Sequence, residues 1–341
     1  MNATTTVRVG VIGAGSIGQQ HIRTLSRAVP GARVVGVCDA DPGRAEAAAR
    51  ELADVRVFAS GRELVQAPEV DAVLVASWGH THEEFVLAAI EARKPVFCEK
   101  PLTPTAAGCQ RIMQAEVATR QRLVTVGFMR RFDPAYRELK AALGDGRLGA
   151  PLLVHCAHRN QGVPPHYGGD MSITDTAIHE IDSARWLLDD EIVATRVLRP
   201  RKSLRATANL QDPLLVLLEM SSGALVDVEV FVTLPFAYEI RCEVVCELGT
   251  AALGAQTRLT VRKDEMRSDH MTTDFLERFG AAYEGELRAW VDGLADAGAT
   301  GPSSWDGYAA AAVADSCVAA LGSGERVGVE LAERPFLFQA L

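Results

Sequence analysis

The feature that most restricts what this chain can fold into lies in its first forty residues. Val7–Gly13 is a short apolar run leading straight into Gly13-Ala14-Gly15-Ser16-Ile17-Gly18. A helical stretch through Arg27 follows, then a second apolar run, Arg33–Cys38, ending at Asp39. An apolar strand joined by a Gly-x-Gly-x-x-Gly turn to a helix is the pattern of a βαβ unit in a parallel sheet. The glycines permit a tight turn and close backbone approach, so a pyrophosphate can rest on the helix N-terminus. The turn motif alone is weak; a strand before it, a helix after it and an acidic strand end beyond give it weight. Gly13, Gly15, Ser16, Ile17 and Gly18 are therefore the expected dinucleotide contacts. Asp39 is placed to accept from both adenosine ribose hydroxyls and to repel a 2′-phosphate. That predicts NAD as cofactor, with NADP weaker. Arg44 either softens the preference or is a solvated helix arginine.

Asp41-Pro42 caps and opens a helix through about Leu52. Further strands are expected at Val55–Phe58, Ala72–Ala76, Pro95–Cys98 and Leu123–Phe128, with helices at 61–66, 81–93 and 104–120. Strands alternating with helices build a doubly wound parallel sheet, whose ligands bind beyond the carboxyl ends of the strands. One such end carries Ser77-Trp78-Gly79-His80-Thr81-His82 and the next carries Glu99-Lys100-Pro101. Ser77, Trp78, His82, Glu99 and Lys100 are thus expected beside the nicotinamide. Lys100 follows a buried run and precedes a proline that restricts its backbone, so it is held in place.

After the turn-rich Gly144–Pro151 the pattern changes. Strands are expected at Leu152–Arg159, Val193–Leu198, Leu214–Met220, Ala224–Val232, Tyr238–Leu248 and Thr257–Lys263. Short connections make this sheet mostly antiparallel. Two later helices, at 274–296 and 306–321, and a strand near Val327–Leu331 complete an α+β half. Two domains are expected, 1–128 and 129–341, the helix at Asp133–Leu143 bridging them. Within the second half, Ser172–Leu188 has apolar residues at helical spacing, and Asp175 and His179 project from one side of that helix. A carboxylate beside an imidazole is a ready acid–base pair, although such a contact on a helix is more often structural. Tyr238, Ile240, Cys242, Val244 and Cys246 form one alternating row, expected on the sheet face that buries itself against another subunit, with a homotetramer as the assembly.

The 341 residues carry a net charge of −9 with no basic block, which argues against a nucleic-acid partner. No apolar run approaches the roughly 18–20 residues of a membrane span, and the first residues lack a signal pattern, so a cytoplasmic protein is expected. Seven cysteines without a Cys-x-x-Cys pair favour reduced thiols and no metal site.

With these features placed, the chain resembles the glucose–fructose oxidoreductase / inositol dehydrogenase (Gfo/Idh/MocA) family over essentially its whole length. The segments that carry the resemblance are SWG…H (77–82), FCEKPL (97–102), GFMRRFDPAY (127–136), HCAHRN (155–160), TDTAIHEID (174–182) and GPSSWDGY (301–308). His-Arg-Asn together with Phe-Met-Arg-Arg is similar to the inositol branch. Gln161, Phe236 and Gly168-Gly169 depart from that pattern and put the preferred polyol isomer in doubt. The resemblance implies an N-terminal Rossmann sheet and oxidation of a ring alcohol, myo-inositol to 2-keto-myo-inositol, with NAD reduced. It implies that Lys100, Asp175 and His179 are catalytic, with His179 as base, Lys100 stabilising the developing alkoxide, and Asp175 holding both in register. Substrate hydroxyls would be met by Met129, Arg130, His158, Asn160, Asp175, His179 and Tyr238. Arg130 as an ion-pair residue, His158 as a satisfied strand histidine and Tyr238 as core remain open beside those roles.

Other readings are weaker. Tyr136-x-x-x-Lys140 imitates the pair of short-chain dehydrogenases, but residues 10–18 do not fit their glycine turn, and both side chains are expected on a helix surface. His80-Thr81-His82 and Cys242-x-x-x-Cys246 do not supply a zinc ligand set. A non-catalytic NAD-binding regulator would be expected to have lost one of Lys100, Asp175 and His179. A relative acting on scyllo- or D-chiro-inositol, a sugar or an anhydrosugar would differ only in pocket residues.

Overall fold

The structure, a computed structural model, describes residues 6–254, 260–296 and 299–339. The chain forms two compact units, each discontinuous in sequence. The first comprises 1–129, 282–311 and 331–341, the second 130–281 and 312–330. The single boundary expected at 128/129 is therefore too simple. Leu287, Trp290 and Val291 pack into the same apolar cluster as Val9, Val11, Val34, Leu74 and Phe97. Helical periodicity shows that such residues are buried, not against which layer.

In the first unit, strands β1 (Val7–Ile12), β2 (Ala32–Cys38), β3 (Arg56–Val57), β4 (Ala72–Val75), β5 (Val96–Glu99) and β6 (Val124–Gly127) make one sheet of order β3-β2-β1-β4-β5-β6. All its pairings are parallel. The helices between strands are α1 (Ser16–Arg27), α2 (Pro42–Arg50), α3 (Gly61–Gln66), α4 (Gly79–Glu91) and α5 (Ala106–Thr119). β4, β5 and β6 are buried throughout, as expected of strands covered on both faces. Order reverses between β1 and β4, so the carboxyl ends of these two strands form the crevice where ligands bind in such sheets. Asp41 caps α2, its Oδ1 accepting from Gly43 N at 2.9 Å.

The second unit opens with α6 (Pro134–Gly144) and β7 (Pro151–Arg159). Ser172–Ala177 is a π-helical turn that continues into α7 (Ile178–Leu188). The regular helix expected over 172–188 is thus widened in its first part. Strands β8 (Ile192–Leu198), β9 (Leu214–Met220), β10 (Leu225–Phe231), β11 (Glu239–Cys246) and β12 (Gly249–Ala252) follow. A hairpin comes next, β13 (Thr260–Lys263) paired with β14 (Met266–Asp269). Part of the strand expected at Thr257–Lys263 lies outside the described residues. Helices α8 (Phe275–Asp296) and α9 (Ser304–Ser323) and strand β15 (Val327–Gly328) complete the order. The large sheet runs β12-β11-β7-β10-β9-β8-β15 and is antiparallel except for β7 beside β10. The chain is an α/β protein with a Rossmann sheet and a second, mostly antiparallel sheet.

The face of β11 needs a correction. Ile240, Cys242, Val244 and Cys246 are buried within the chain itself, while Arg241 and Glu243 are exposed. Period-2 alternation groups residues on a face but does not say which face the α7 layer covers. The outer face instead carries Leu153, His155, Leu225 and Asp227. All seven cysteines are buried and none is in a disulfide. Among the described residues no helix is long and apolar enough to cross a membrane.

Candidate active site

The dinucleotide turn is built by packing constraints on two of its three glycines. Gly13 has φ +101°, and a Cβ there would lie 2.5 Å from the backbone of Ala76 and Ser77. A Cβ on Gly18 would lie 2.0 Å from Gly13 O, so helix and turn touch directly. At Gly15 a Cβ would meet nothing within 4 Å. The protein's own packing does not require that glycine, whereas a phosphate approaching the backbone would. Gly15 is also the residue before α1, and no side chain caps that helix, so its first N–H groups stay available to an anion. Asp39, at the end of β2, accepts from Ala14 N at 2.6 Å and from Asp41 N at 2.8 Å. This fixes the carboxylate beside the turn, where an adenosine ribose would lie. Arg44 is exposed and pairs with Asp41 at 3.5 Å. These residues fit a dinucleotide whose ribose carries no 2′-phosphate.

At the next strand ends, His82 is buried and its ring joins two loops. Nδ1 lies 2.8 Å from Pro101 O and Nε2 lies 3.0 Å from Ser77 O. Burial pushes the imidazole below its usual range despite these two carbonyls, so one ring N–H donates. His82 thus ties the 77–79 loop to the Glu99-Lys100-Pro101 loop. Ser77 Oγ bonds Thr81 Oγ1 at 2.7 Å, and Trp78 is largely exposed at the mouth of α4. Glu99 Oε2 accepts from Lys100 N at 3.1 Å.

In the second unit, β7 and α7 meet around a buried charged set. Alternation along β7 points Val154, Cys156 and His158 inward and sends Arg159 outward to Glu229 and Glu239. Arg130, in a 3₁₀ turn (Met129–Phe132), is 1 % exposed, and its Nη1 is held by Glu180. Nη1 also donates to Tyr136 Oη at 3.3 Å. His158 Nδ1 lies 3.1 Å from Glu180 and 3.1 Å from Arg130 Nη2. One nitrogen cannot donate and accept together; the charge-assisted Nδ1–H to Glu180 is the stronger of the two bonds. Burial alone would raise Glu180, but Arg130 and His158 hold its carboxyl below the ordinary range. Arg130 is thus an ion-pair residue of this wall, one of the two roles left open for it, and its Nε has no hydrogen-bond partner among the described residues. Met129 is likewise buried. Tyr136 is core and not helix surface, while Lys140 Nζ donates to Leu187 O at 3.2 Å and pairs with Asp189.

His179 is nearly buried, its ring 6.0 Å from that of His158, which in turn stands 6.0 Å from the Tyr238 ring. Burial pushes the Tyr238 phenol up to about 12. Asn160 Oδ1 is buried with no hydrogen-bond partner among the described residues. A buried amide oxygen left that way is costly and suits a ligand hydroxyl. Asp175 sits in the π turn, a distortion that often marks functional positions. Sequence reasoning missed Glu180 and Asp182, the latter holding Arg131 Nε at 2.9 Å. The available signal was the spacing of two acids directly after His179, matched to the Arg130-Arg131 pair.

A glycine turn open to pyrophosphate and an acidic ribose anchor define a nicotinamide-dinucleotide-binding Rossmann oxidoreductase. Residues 7–128 match the model described as oxidoreductase family, NAD-binding Rossmann fold, and residues 140–330 match its C-terminal alpha/beta domain. The chain belongs to this family, Gfo/Idh/MocA. Over 335 residues it is 51% identical to inositol 2-dehydrogenase of Burkholderia lata, covering 98% of this chain and 99% of that one. Over 336 residues it is 52% identical to inositol 2-dehydrogenase of Pseudomonas fluorescens, covering 97% and 99%. Among solved structures, myo-inositol dehydrogenase from Lactobacillus casei in complex with NAD(H) and myo-inositol superposes with TM-score 0.95 at 38% identity, covering 98% of this chain and 100% of that one.

Proposed function

We propose that the protein oxidises myo-inositol at a ring secondary alcohol, giving 2-keto-myo-inositol as NAD is reduced to NADH. The observation that carries this reading is Asn160 Oδ1, buried and without a hydrogen-bond partner among the described residues, directly after β7 and two positions beyond His158. A polyol offers only hydroxyls, so short, fixed donors and acceptors are the groups that select it. NAD supplies the hydride acceptor. His179 takes the hydroxyl proton as general base, Lys100 stabilises the developing alkoxide, and Asp175 orients both. Asn160, His158 and Tyr238 bind the remaining hydroxyls. Arg130 and Glu180 hold His158 in place. The relatives named inositol 2-dehydrogenase and the neighbour solved with myo-inositol support this substrate class. NADH formation measured across myo-, scyllo- and D-chiro-inositol, glucose and an anhydrosugar tests it. Myo-inositol is expected to give the highest kcat/KM; turnover of only a sugar or anhydrosugar would overturn the reading.

Asp39 sets the dinucleotide preference. Asp39→Ala is expected to lower the NAD/NADP ratio of kcat/KM by about tenfold or more, since one charge repulsion and two hydroxyl contacts are lost. An unchanged ratio would remove Asp39 from that role.

The protein assembles as a homotetramer through the outer face of its large sheet. Leu153, Leu198 and Leu225 are exposed there, beside a shallow cavity of ≈ 580 Å³ whose lining includes His155, Asp227, Glu229, Arg241 and Glu243. Apolar residues among paired charges suit a surface that a second copy covers. Sedimentation at micromolar concentration is expected to give four chains; a monomer would refute it.

A further inference from the structure

Beneath the Lys100 loop lies a group of side chains that the reaction as written does not use. His21 of α1 is fully buried, with Nε2 2.7 Å from Glu99 Oε1. Its ring stands edge-on to Phe97 and Tyr283 at 5.7 and 5.8 Å. Glu99 uses its other oxygen to accept from Lys100 N. Gly127, opposite it on β6, makes room: a Cβ there would lie 3.3 Å from Glu99 Cα and Cδ. Glu286 of α8 completes the set. It is 1 % exposed, and neither carboxylate oxygen has a hydrogen-bond partner among the described residues. One ligand atom from each of His21, Glu99 and Glu286 lies within 4.8 Å of the other two. All of these residues belong to the first unit.

Two buried carboxylates at this separation cannot both ionise cheaply beside a single imidazole. Two occupants would relieve the conflict, a cation or a proton. The 2.7 Å bond between His21 and Glu99 already commits one atom of each to the other, and a metal would have to break it. A proton uses that bond as it stands. We propose that Glu286 is a neutral acid packed beside the His21–Glu99 bond and a positioning residue for Lys100. His21 holds the Glu99 carboxylate at the angle from which it grips the lysine's backbone N–H, and an uncharged Glu286 fills the space within 4.8 Å of that bond without repelling the carboxylate. The other titratable groups beside the set are Cys98, preceding Glu99 on β5, Tyr283 on α8, and His82 on α4, which is kept neutral by burial. Burial and the neighbouring Glu99 push the Glu286 carboxyl well up, in the same direction.

The inference rests on Lys100 being catalytic, and the experiment separates the two. Steady-state kinetics would compare Lys100→Ala, Glu286→Ala and Glu286→Gln in the full-length protein with NAD and myo-inositol. Displacing a reacting group by an ångström costs on the order of a hundredfold, so Glu286→Ala is expected to lower kcat about tenfold or more with KM for NAD little changed. Glu286→Gln, isosteric with a neutral acid, is expected to restore kcat to within about threefold of the parent and leave its pH profile in place. It is also expected to melt higher than the parent at about pH 8 but not at about pH 5, because the parent must hold a proton to fold. A Gln variant as inactive as the Ala variant, an Ala variant with parental kcat, or stoichiometric metal in the purified protein by elemental analysis would each overturn the proposal. If Lys100→Ala itself keeps parental kcat, the catalytic reading fails instead. Should Glu286→Ala not fold, the Gln variant and the metal analysis still decide.

Discussion

Alanine at Lys100, and separately at His179, is expected to cut NADH formation at least about a hundredfold while NAD binding survives, because in the proposed mechanism each removes a group that acts on the reacting hydroxyl. The two substitutions should differ in detail. Without His179 the hydroxyl proton has no nearby base, and raised pH should restore part of the rate as hydroxide or water takes over. Without Lys100 the negative charge on the carbinol oxygen is uncompensated, and pH should help little. Cofactor titration by fluorescence, run beside initial-rate measurements, tells loss of chemistry from loss of binding. Near-parental rates for either variant would remove that residue from the mechanism.

The second large effect concerns stability. Glu180→Ala leaves the Arg130 guanidinium 1 % exposed with its principal anionic partner gone. Breaking a buried ion pair from one side costs about 3–5 kcal/mol, a large share of a domain's stability. A fall of that size in the chemical-denaturation free energy is expected, together with loss of activity as His158 loses its acceptor. Glu180→Gln, which keeps a hydrogen-bond acceptor, should lose less. The same group shapes the acid limb. Its folded carboxyl is held below the ordinary value, so the stability it supplies is present above the unfolded carboxylate range near pH ~4.3 and disappears as pH falls through the folded value. Flattening of the acid limb in Glu180→Gln checks the sign.

The parts of this protein that were legible in its sequence are those with a local periodicity. The β1 turn and α1 could be placed because two glycines have no room for a Cβ and a third faces open space. The strands of the first sheet could be placed because burial on both faces makes them continuously apolar. What was not legible depends on partners far along the chain. Arg130 and Glu180 are fifty positions apart, and nothing local says that one neutralises the other. The π turn at Ser172–Ala177 has no residue pattern of its own, so a regular helix was the natural expectation. The Ile240–Cys246 row was grouped correctly but assigned to the wrong face, since alternation does not carry a sign. Asn160 was legible as a candidate only through the His-Arg-Asn segment; that its oxygen has no partner among the described residues is a property of the fold, not of the local sequence.

The late return of the chain to its first sheet has a consequence for biosynthesis. Leu287, Trp290 and Val291 fill the core that Val9, Val11 and Leu74 begin. The nascent dinucleotide-binding lobe therefore cannot close its core until nearly three hundred residues have left the ribosome. During that interval an apolar sheet waits half covered, the condition under which nascent chains recruit chaperones or aggregate. Any shortened version ending near residue 128 would inherit the same exposed surface permanently.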